Sequence, residues 1–189
     1  MGFPNLRIHV TTVLLLACLV LLDGTFMALV PIGAAVCHEL GHIIVMRLLG
    51  VGVGEIEVTL FGAEIRSVPR MLNMAGEVAV YSAGAAANIV SAGAVYFLFS
   101  GEWTTLFIIC SFTLAIFNLL PIKSLDGGCI FAAVCRGVMP NSADRVISAV
   151  SSVTLLVLWL ASVYLLLICG GNVSLMLFCI YMFVTLYIK

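Results

Sequence analysis

Charged side chains are scarce in this chain of 189 residues, of which Asp, Glu, Lys and Arg make up 9%. An ordinary soluble domain carries roughly 25% charged residues, so this composition cannot cover a surface that faces water. Hydrophobic residues make up 63% of the chain. We therefore expect an integral membrane protein with several spans and no sizeable soluble domain.

Positive charge is also in short supply, because the formal net charge is −1. A protein that reads nucleic acid needs a basic field, so we expect no nucleic-acid partner. The 7 cysteines form no CxxC pair. They are typical of reduced, buried thiols rather than of a disulfide framework.

A membrane span needs about 20 mostly apolar residues. The candidate spans are the apolar runs at residues 8–22, 25–50, 78–100, 104–120, 146–169 and 173–188. Between the second and third runs, polar and apolar residues alternate, which predicts a short β-hairpin over Glu55–Arg66 at the membrane surface. The predicted fold class is an all-α polytopic membrane protein with about six transmembrane helices and this membrane-associated β-hairpin after helix 2.

The positive residues give an orientation. When six spans are threaded from a cytoplasmic amino terminus, all 8 Lys and Arg residues fall on the cytoplasmic side. The opposite loops hold Asp23, Glu102 and Asn172 and no positive residue. By the positive-inside rule, we expect a multi-pass protein of the cell membrane with both termini in the cytoplasm.

Three ionisable residues lie within five positions of the second run, in the sequence HELGH at 38–42. Ionisable groups are costly in lipid, and their presence there calls for a function. His38 and His42 are one helical turn apart on one face, so both rings can bind one ion, and Glu39 can act on a water at that ion. This arrangement predicts two zinc ligands and a general base, although two histidines bonded to backbone or water remain the structural alternative.

A catalytic zinc ion usually has three protein ligands, so one ligand is missing. The best candidate is Asp126, which lies in an irregular stretch between Pro121 and Gly128 on the same predicted side as His42. The alternatives are that Asp126 only caps the following helix, or that Glu77 supplies the third ligand. Counting back from Arg47 at about 1.5 Å per residue places the site roughly 7–14 Å below the cytoplasmic boundary.

With these residues in view, the chain resembles the site-2 protease family of intramembrane zinc metalloproteases. The matching segments are HELGH at 38–42, the small-residue stretch at 82–88, and NLLPIKSLDGG at 118–128. The resemblance implies one Zn²⁺ on His38, His42 and Asp126, with Glu39 as the base. It also implies that Asn88 and Asn118 contact substrate or shape the site.

The resemblance further implies a single integral-membrane domain over residues 1–189, with a catalytic core at about 8–139 and two further spans at about 146–188. The substrate would be a membrane-tethered protein cut in or near its transmembrane segment. The hairpin after the second span makes the chain most similar to the compact sporulation branch, which processes pro-sigma factors. The chain departs from related branches because we expect no PDZ domain and no nucleotide-sensing domain in it.

Two other functions compete with a protease. Intramembrane His and Asp residues also mark ion paths, so a metal-ion transporter is the main alternative. Its spans would form matching halves, whereas the polar residues here cluster in the second to fourth spans. A catalytically inactive scaffold would have no need of Glu39. The sequence leaves a regulatory membrane partner and a homo-oligomer open.

Overall fold

The computed structural model describes residues 5–8, 25–59, 62–67, 72–169 and 174–187. The helices in this part are α1 (Leu29–Leu48), α2 (Met74–Leu98), α3 (Glu102–Asn118), α4 (Asp126–Val138), α5 (Ala143–Cys169) and α6 (Ser174–Tyr187). The strands are β1 (Asn5–Ile8), β2 (Val53–Thr59) and β3 (Gly62–Ser67). The chain divides into two compact units, Met1–Phe117 and Asn118–Lys189.

Three of the described helices, α1, α2 and α5, are long and apolar enough to cross a membrane. The apolar helix α3 and the apolar part of α6, Leu175–Val184, are shorter. Helices thus occupy five of the six segments for which the sequence predicts spans. Residues 9–22 of the first predicted span lie outside the described residues, and the count of six spans stays a prediction.

The strands form one sheet in the order β1-β2-β3. β2 and β3 pair antiparallel, with Glu55 opposite Arg66, over the segment for which the alternating pattern predicts a hairpin. Residues 60–61, which join them, are outside the described part, and a location at the membrane surface stays a prediction. β1 pairs parallel with β2, with Ile8 opposite Val58. Ile8 is therefore extended and not helical, which corrects the expected start of the first span.

The end of α1 is fixed by its own backbone. The N–H of Val51 donates to the oxygen of Met46 at 2.8 Å, and the N–H of Gly50 donates to the oxygen of Arg47 at 3.0 Å. Gly50 has φ +68°, the left-handed conformation that a glycine adopts without a Cβ penalty. These features make a Schellman motif, in which Val51 then packs with Met46 and Val80 in a buried cluster.

In the first unit, α1 and α2 pack closely against each other through small residues. A Cβ at Gly41 would overlap the backbone oxygen of Ala83 and lie 2.7 Å from the Cβ of Ala87. Only a residue without a side chain therefore allows the two helices to approach this closely. Small residues let helices approach closely in lipid, as Gly41 and Ala83 do here.

In the second unit, α5 packs against both α4 and α6. Ala132 and Cys135 of α4 form a buried cluster with Ala143 and Ile147 of α5. A second buried cluster joins Leu155 of α5 and Met182 of α6 to Ile122, which lies in the loop before α4. This loop is thus anchored by an apolar side chain as well as by the helices on either side of it.

Candidate metal centre

His38 and His42 lie on the buried face of α1 and are only 4% and 7% exposed. Their Nε2 atoms are 3.2 Å apart, and the two rings meet nearly edge to face at an angle of 79°. Two imidazole nitrogens bonded to one tetrahedral zinc ion, at about 2.0–2.1 Å each, are about 3.3 Å apart. The observed separation therefore fits a pair of ligands that share one ion.

The orientation of His42 is set by α2. Its Nδ1 lies 2.8 Å from the backbone oxygen of Val80. A carbonyl oxygen only accepts, so Nδ1 carries the proton and donates to Val80. The lone pair of this ring is then on Nε2, the nitrogen that faces His38. Metal-binding histidines characteristically have such a partner on the second ring nitrogen, and neither the motif nor the hydropathy pattern of α2 identified Val80.

His38 also has a partner on α2. The Nδ2 atom of Asn88 lies 3.3 Å from Nδ1 of His38. Asn88 is completely buried, and its Oδ1 atom has no hydrogen-bond partner among the described residues. The structure thus places Asn88 against a predicted metal ligand, while its predicted contact with substrate stays a prediction.

Gly84 of α2 lies over the two ligand nitrogens. A Cβ at this position would overlap Nε2 of His42 and lie 2.6 Å from Nε2 of His38. The space beside the paired nitrogens therefore exists because residue 84 is a glycine. An ion needs such space, so this observation, together with the spacing of the nitrogens, shows that the first unit can accommodate two ligands of a metal centre.

Glu39 follows the first histidine in α1, and its side chain is half-buried. Glutamate at this place in HExxH is the residue expected to handle protons. Its assignment as the base stays a prediction, as does the substrate contact expected of Asn118, the last residue of α3.

Asp126 is the first residue of α4, and the N-cap position belongs to Leu125. The alternative in which Asp126 merely occupies the cap of this helix is therefore wrong. Its carboxylate lies at the amino-terminal end of the helix, where the helix dipole favours negative charge.

The loop before Asp126 is held by Ser151 of α5, a fully buried residue that no sequence pattern identifies. The backbone N–H of Lys123 donates to the hydroxyl of Ser151 at 3.0 Å, and that hydroxyl donates to the oxygen of Pro121 at 3.3 Å. The loop also folds tightly over the start of α4. A Cβ at Gly127 or Gly128 would overlap its backbone. These contacts fix the segment that carries Asp126.

The first unit offers two imidazole nitrogens, from His38 and His42, and the second unit offers a carboxylate, from Asp126 at the start of α4. That the three bind one ion stays a prediction. This donor set matches that of a catalytic zinc ion, which binds nitrogen and carboxylate oxygen and keeps one position open. Glu77, the alternative third ligand, lies in the first turn of α2.

Residues 73–161 match the model of Peptidase family M50. Among solved structures, the chain is similar to the site-2 protease from Methanocaldococcus jannaschii, with a TM-score of 0.64 and 21% identity. That match covers 96% of this chain and 89% of the archaeal chain. No curated protein sequence matches the chain.

The resemblance to the site-2 protease family is confirmed. The structural match, at 21% identity, shows the fold. The family match begins after α1, so His38 and His42 lie outside the matched residues. The resemblance to the sporulation branch stays a prediction.

Proposed function

We propose that the chain is an intramembrane zinc metalloprotease that hydrolyses a peptide bond in or near a transmembrane segment of a membrane-tethered protein. The observation that carries this proposal is the buried pair of imidazole nitrogens, 3.2 Å apart, in the motif HExxH. Buried, paired and individually oriented histidines beside a glutamate are typical of a catalytic metal site.

In the proposed site, one Zn²⁺ is bound by His38, His42 and Asp126. When bound, this ion supplies a water of lowered pKa and polarises the scissile carbonyl. The carboxylate of Glu39 accepts a proton from the attacking water and delivers it to the nitrogen of the leaving amine. Val80 holds His42 in the tautomer that this role requires.

The substrate must unwind locally before it can be cut, because the peptide groups of a transmembrane helix are already hydrogen-bonded and shielded. The exposed backbone groups then need new partners, and an added strand at a sheet edge would provide them. β2 lies between β1 and β3, so an added strand can pair only with one of the two outer strands of the described sheet. Of these two strands, β3 is the longer. We therefore propose that the substrate adds as a strand along β3.

The remaining features of the proposal follow from the sequence. Both termini face the cytoplasm, and the site lies nearer to that face, because the positive residues fall on one side of six spans. Asn118 contacts the substrate backbone. The resemblance to the sporulation branch favours a pro-sigma factor as the substrate.

The test compares wild type with Glu39→Gln in co-expression with candidate single-span substrates. Because the amide keeps the size of the side chain but cannot accept a proton, cleavage should disappear while zinc content stays unchanged. Glu102→Gln, an exposed change at the start of α3, serves as the control and should cleave normally. Cleavage by Glu39→Gln would show that another group is the base.

A further inference from the structure

The register of the three strands divides the described sheet into a charged face and an apolar face. Residues directly opposite each other in paired strands belong to the same face, and successive residues of a strand alternate between faces. The pairings place on one face the polar and charged residues Asn5, Arg7, Glu55, Glu57, Glu64 and Arg66. They place on the other face Leu6, Ile8, Ile56, Val58, Ala63 and Ile65. The charged face thus consists of two rows that cross all three strands.

The first row runs from β1 to β3 through Arg7, Glu57 and Glu64. Arg7 is opposite Glu57, which is a favourable pair, whereas two negative residues are directly opposite each other at Glu57 and Glu64, which is unfavourable. β3 is an outer strand of the described sheet, so the next position in this row belongs to whatever strand adds to it. A positive residue at that position would give each glutamate one positive neighbour.

The second row runs through Asn5, Glu55 and Arg66. Glu55 and Arg66 are a favourable pair, and a negative residue beyond Arg66 would continue the alternation of charge. Glu64 and Arg66 are separated by one residue, Ile65. The two positions that face them in an added strand are therefore also separated by one residue, which belongs to the apolar face. The edge of β3 is complementary to one acidic and one basic residue with an apolar residue between them.

The direction of the added strand sets the order of these two residues. Antiparallel pairs are slightly more stable per residue than parallel ones, so we expect an antiparallel addition. In that direction the substrate residue opposite Arg66 precedes the one opposite Glu64. The substrate segment then reads, from its amino end, acidic, apolar, basic.

We propose that β3 selects substrates by charge, and that the segment of the membrane-tethered substrate that adds along β3 carries an acidic residue opposite Arg66 and a basic residue opposite Glu64. The inference rests on the proposed function and names the class of segment that the protease accepts. β3 itself has the same order of charges, so a second copy of the chain is the competing occupant. The substrate is favoured because a span that unwinds for cleavage needs new backbone partners, which a permanent pairing of two β3 strands would withhold.

The probes are single-span membrane proteins that share one apolar span and differ only in a short segment at its cytoplasmic end. The segments are Val-Glu-Val-Lys-Val, Val-Lys-Val-Glu-Val and the uncharged Val-Gln-Val-Gln-Val. Binding is measured by a photo-cross-linking amino acid that replaces Ala63 of β3 in the full chain with Glu39→Gln, and cleavage is measured in the chain with Glu39 intact. The first probe should exceed the second on the order of tenfold in both measurements, because two favourable cross-strand pairs replace two like-charge pairs. The uncharged probe should fall between them.

Exchange of the two charges of β3 provides the decisive variant. Glu64→Lys combined with Arg66→Glu keeps the net charge and should invert the preference, so that Val-Lys-Val-Glu-Val is bound and cut more than Val-Glu-Val-Lys-Val. The matched control is Asp144→Lys combined with Arg145→Glu, which exchanges two exposed charges in the first turn of α5 and should keep the wild-type preference. The comparison of the three probes on unaltered charges needs neither variant to fold.

The outcomes separate this inference from the proposed function. Equal cross-linking of the three probes, a preference for the opposite order in wild type, or a preference that the exchange does not invert would overturn the inference. Cross-links between two copies of the chain in place of cross-links to the probes would also overturn it and assign the edge to a second copy. Cleavage that depends on Glu39 but not on the order of charges would leave the metalloprotease proposal standing. Charge-dependent cross-linking without Glu39-dependent cleavage of any single-span substrate would refute the protease and leave strand addition in place.

Discussion

The hydroxyl of Ser151 in α5 lies 3.0 Å from the backbone nitrogen of Lys123, three residues before the proposed ligand Asp126. Through the same hydroxyl, Ser151 also contacts the oxygen of Pro121. One buried side chain therefore satisfies two backbone groups of a loop that has no regular structure of its own. In a membrane protein such groups need partners inside the protein, because lipid offers none.

Ser151→Ala should loosen this loop. Leaving buried backbone groups without partners costs about 1–3 kcal/mol, so we expect lower thermal stability and, through Asp126, weaker zinc binding. Ser152→Ala is the matched control, since the hydroxyl of Ser152 bonds to the oxygen of Ser148 within its own helix. Both variants are compared by zinc competition and by thermal unfolding in detergent. Equal zinc affinity in Ser151→Ala and Ser152→Ala would show that the loop does not depend on Ser151.

The space that Gly84 leaves beside the Nε2 atoms of the two histidines provides a second prediction. Gly84→Ala places a methyl group against both Nε2 atoms, so zinc binding and proteolysis should both be lost, whether the ion is excluded or α2 moves away. Gly93→Ala in the same helix has nothing within 4 Å of the added carbon. It should retain activity and gain up to about 1 kcal/mol of stability from helix propensity. Zinc bound by Gly84→Ala with wild-type affinity would mean that the ion lies elsewhere.

The sequence predicted the parts of the site that depend on local spacing. The i, i+4 relation between His38 and His42 follows from helix geometry alone, and a helix did form there. Small residues such as Gly84 are typical of close helix contacts in membranes, and the lack of a side chain can be read directly from the sequence.

The contacts that depend on tertiary packing could not be predicted. Val80 acts through a backbone oxygen, which every residue has, so no residue type could reveal it. Ser151 is one of several serines in an apolar helix, and only the path of the loop before α4 distinguishes it. β1 pairs with β2 across 50 residues of sequence, as in the pair Asn5 and Glu55. The alternation of polar and apolar residues within one segment does not indicate which distant strand it pairs with.

The assignment of Asp126 as the third ligand can be tested by comparison with another aspartate near the start of a helix. Replacing Asp126 by Ala removes one of three proposed ligands, at a cost on the order of 3 kcal/mol or about a hundredfold in zinc affinity. Asp144→Ala, an exposed change in the first turn of α5, is the control and should bind zinc normally. Metal analysis of the purified variants decides the question. Full zinc occupancy in Asp126→Ala, measured at limiting metal, would contradict the assignment.

The sheet edge provides the last prediction, which concerns substrate and not metal. Ile65 lies in the middle of β3, opposite Ile56 of the central strand. Proline at this position removes a backbone N–H and disturbs strand pairing. If the substrate adds to β3, loss of about two backbone hydrogen bonds should reduce cleavage by roughly tenfold or more, while zinc content stays unchanged because both histidines lie in α1.

Ile65→Thr, which keeps a β-branched residue and the N–H, should cleave nearly as well as wild type. Cleavage of a single-span substrate is measured for both variants, and equal rates for Pro and Thr at this position would exclude strand addition along β3.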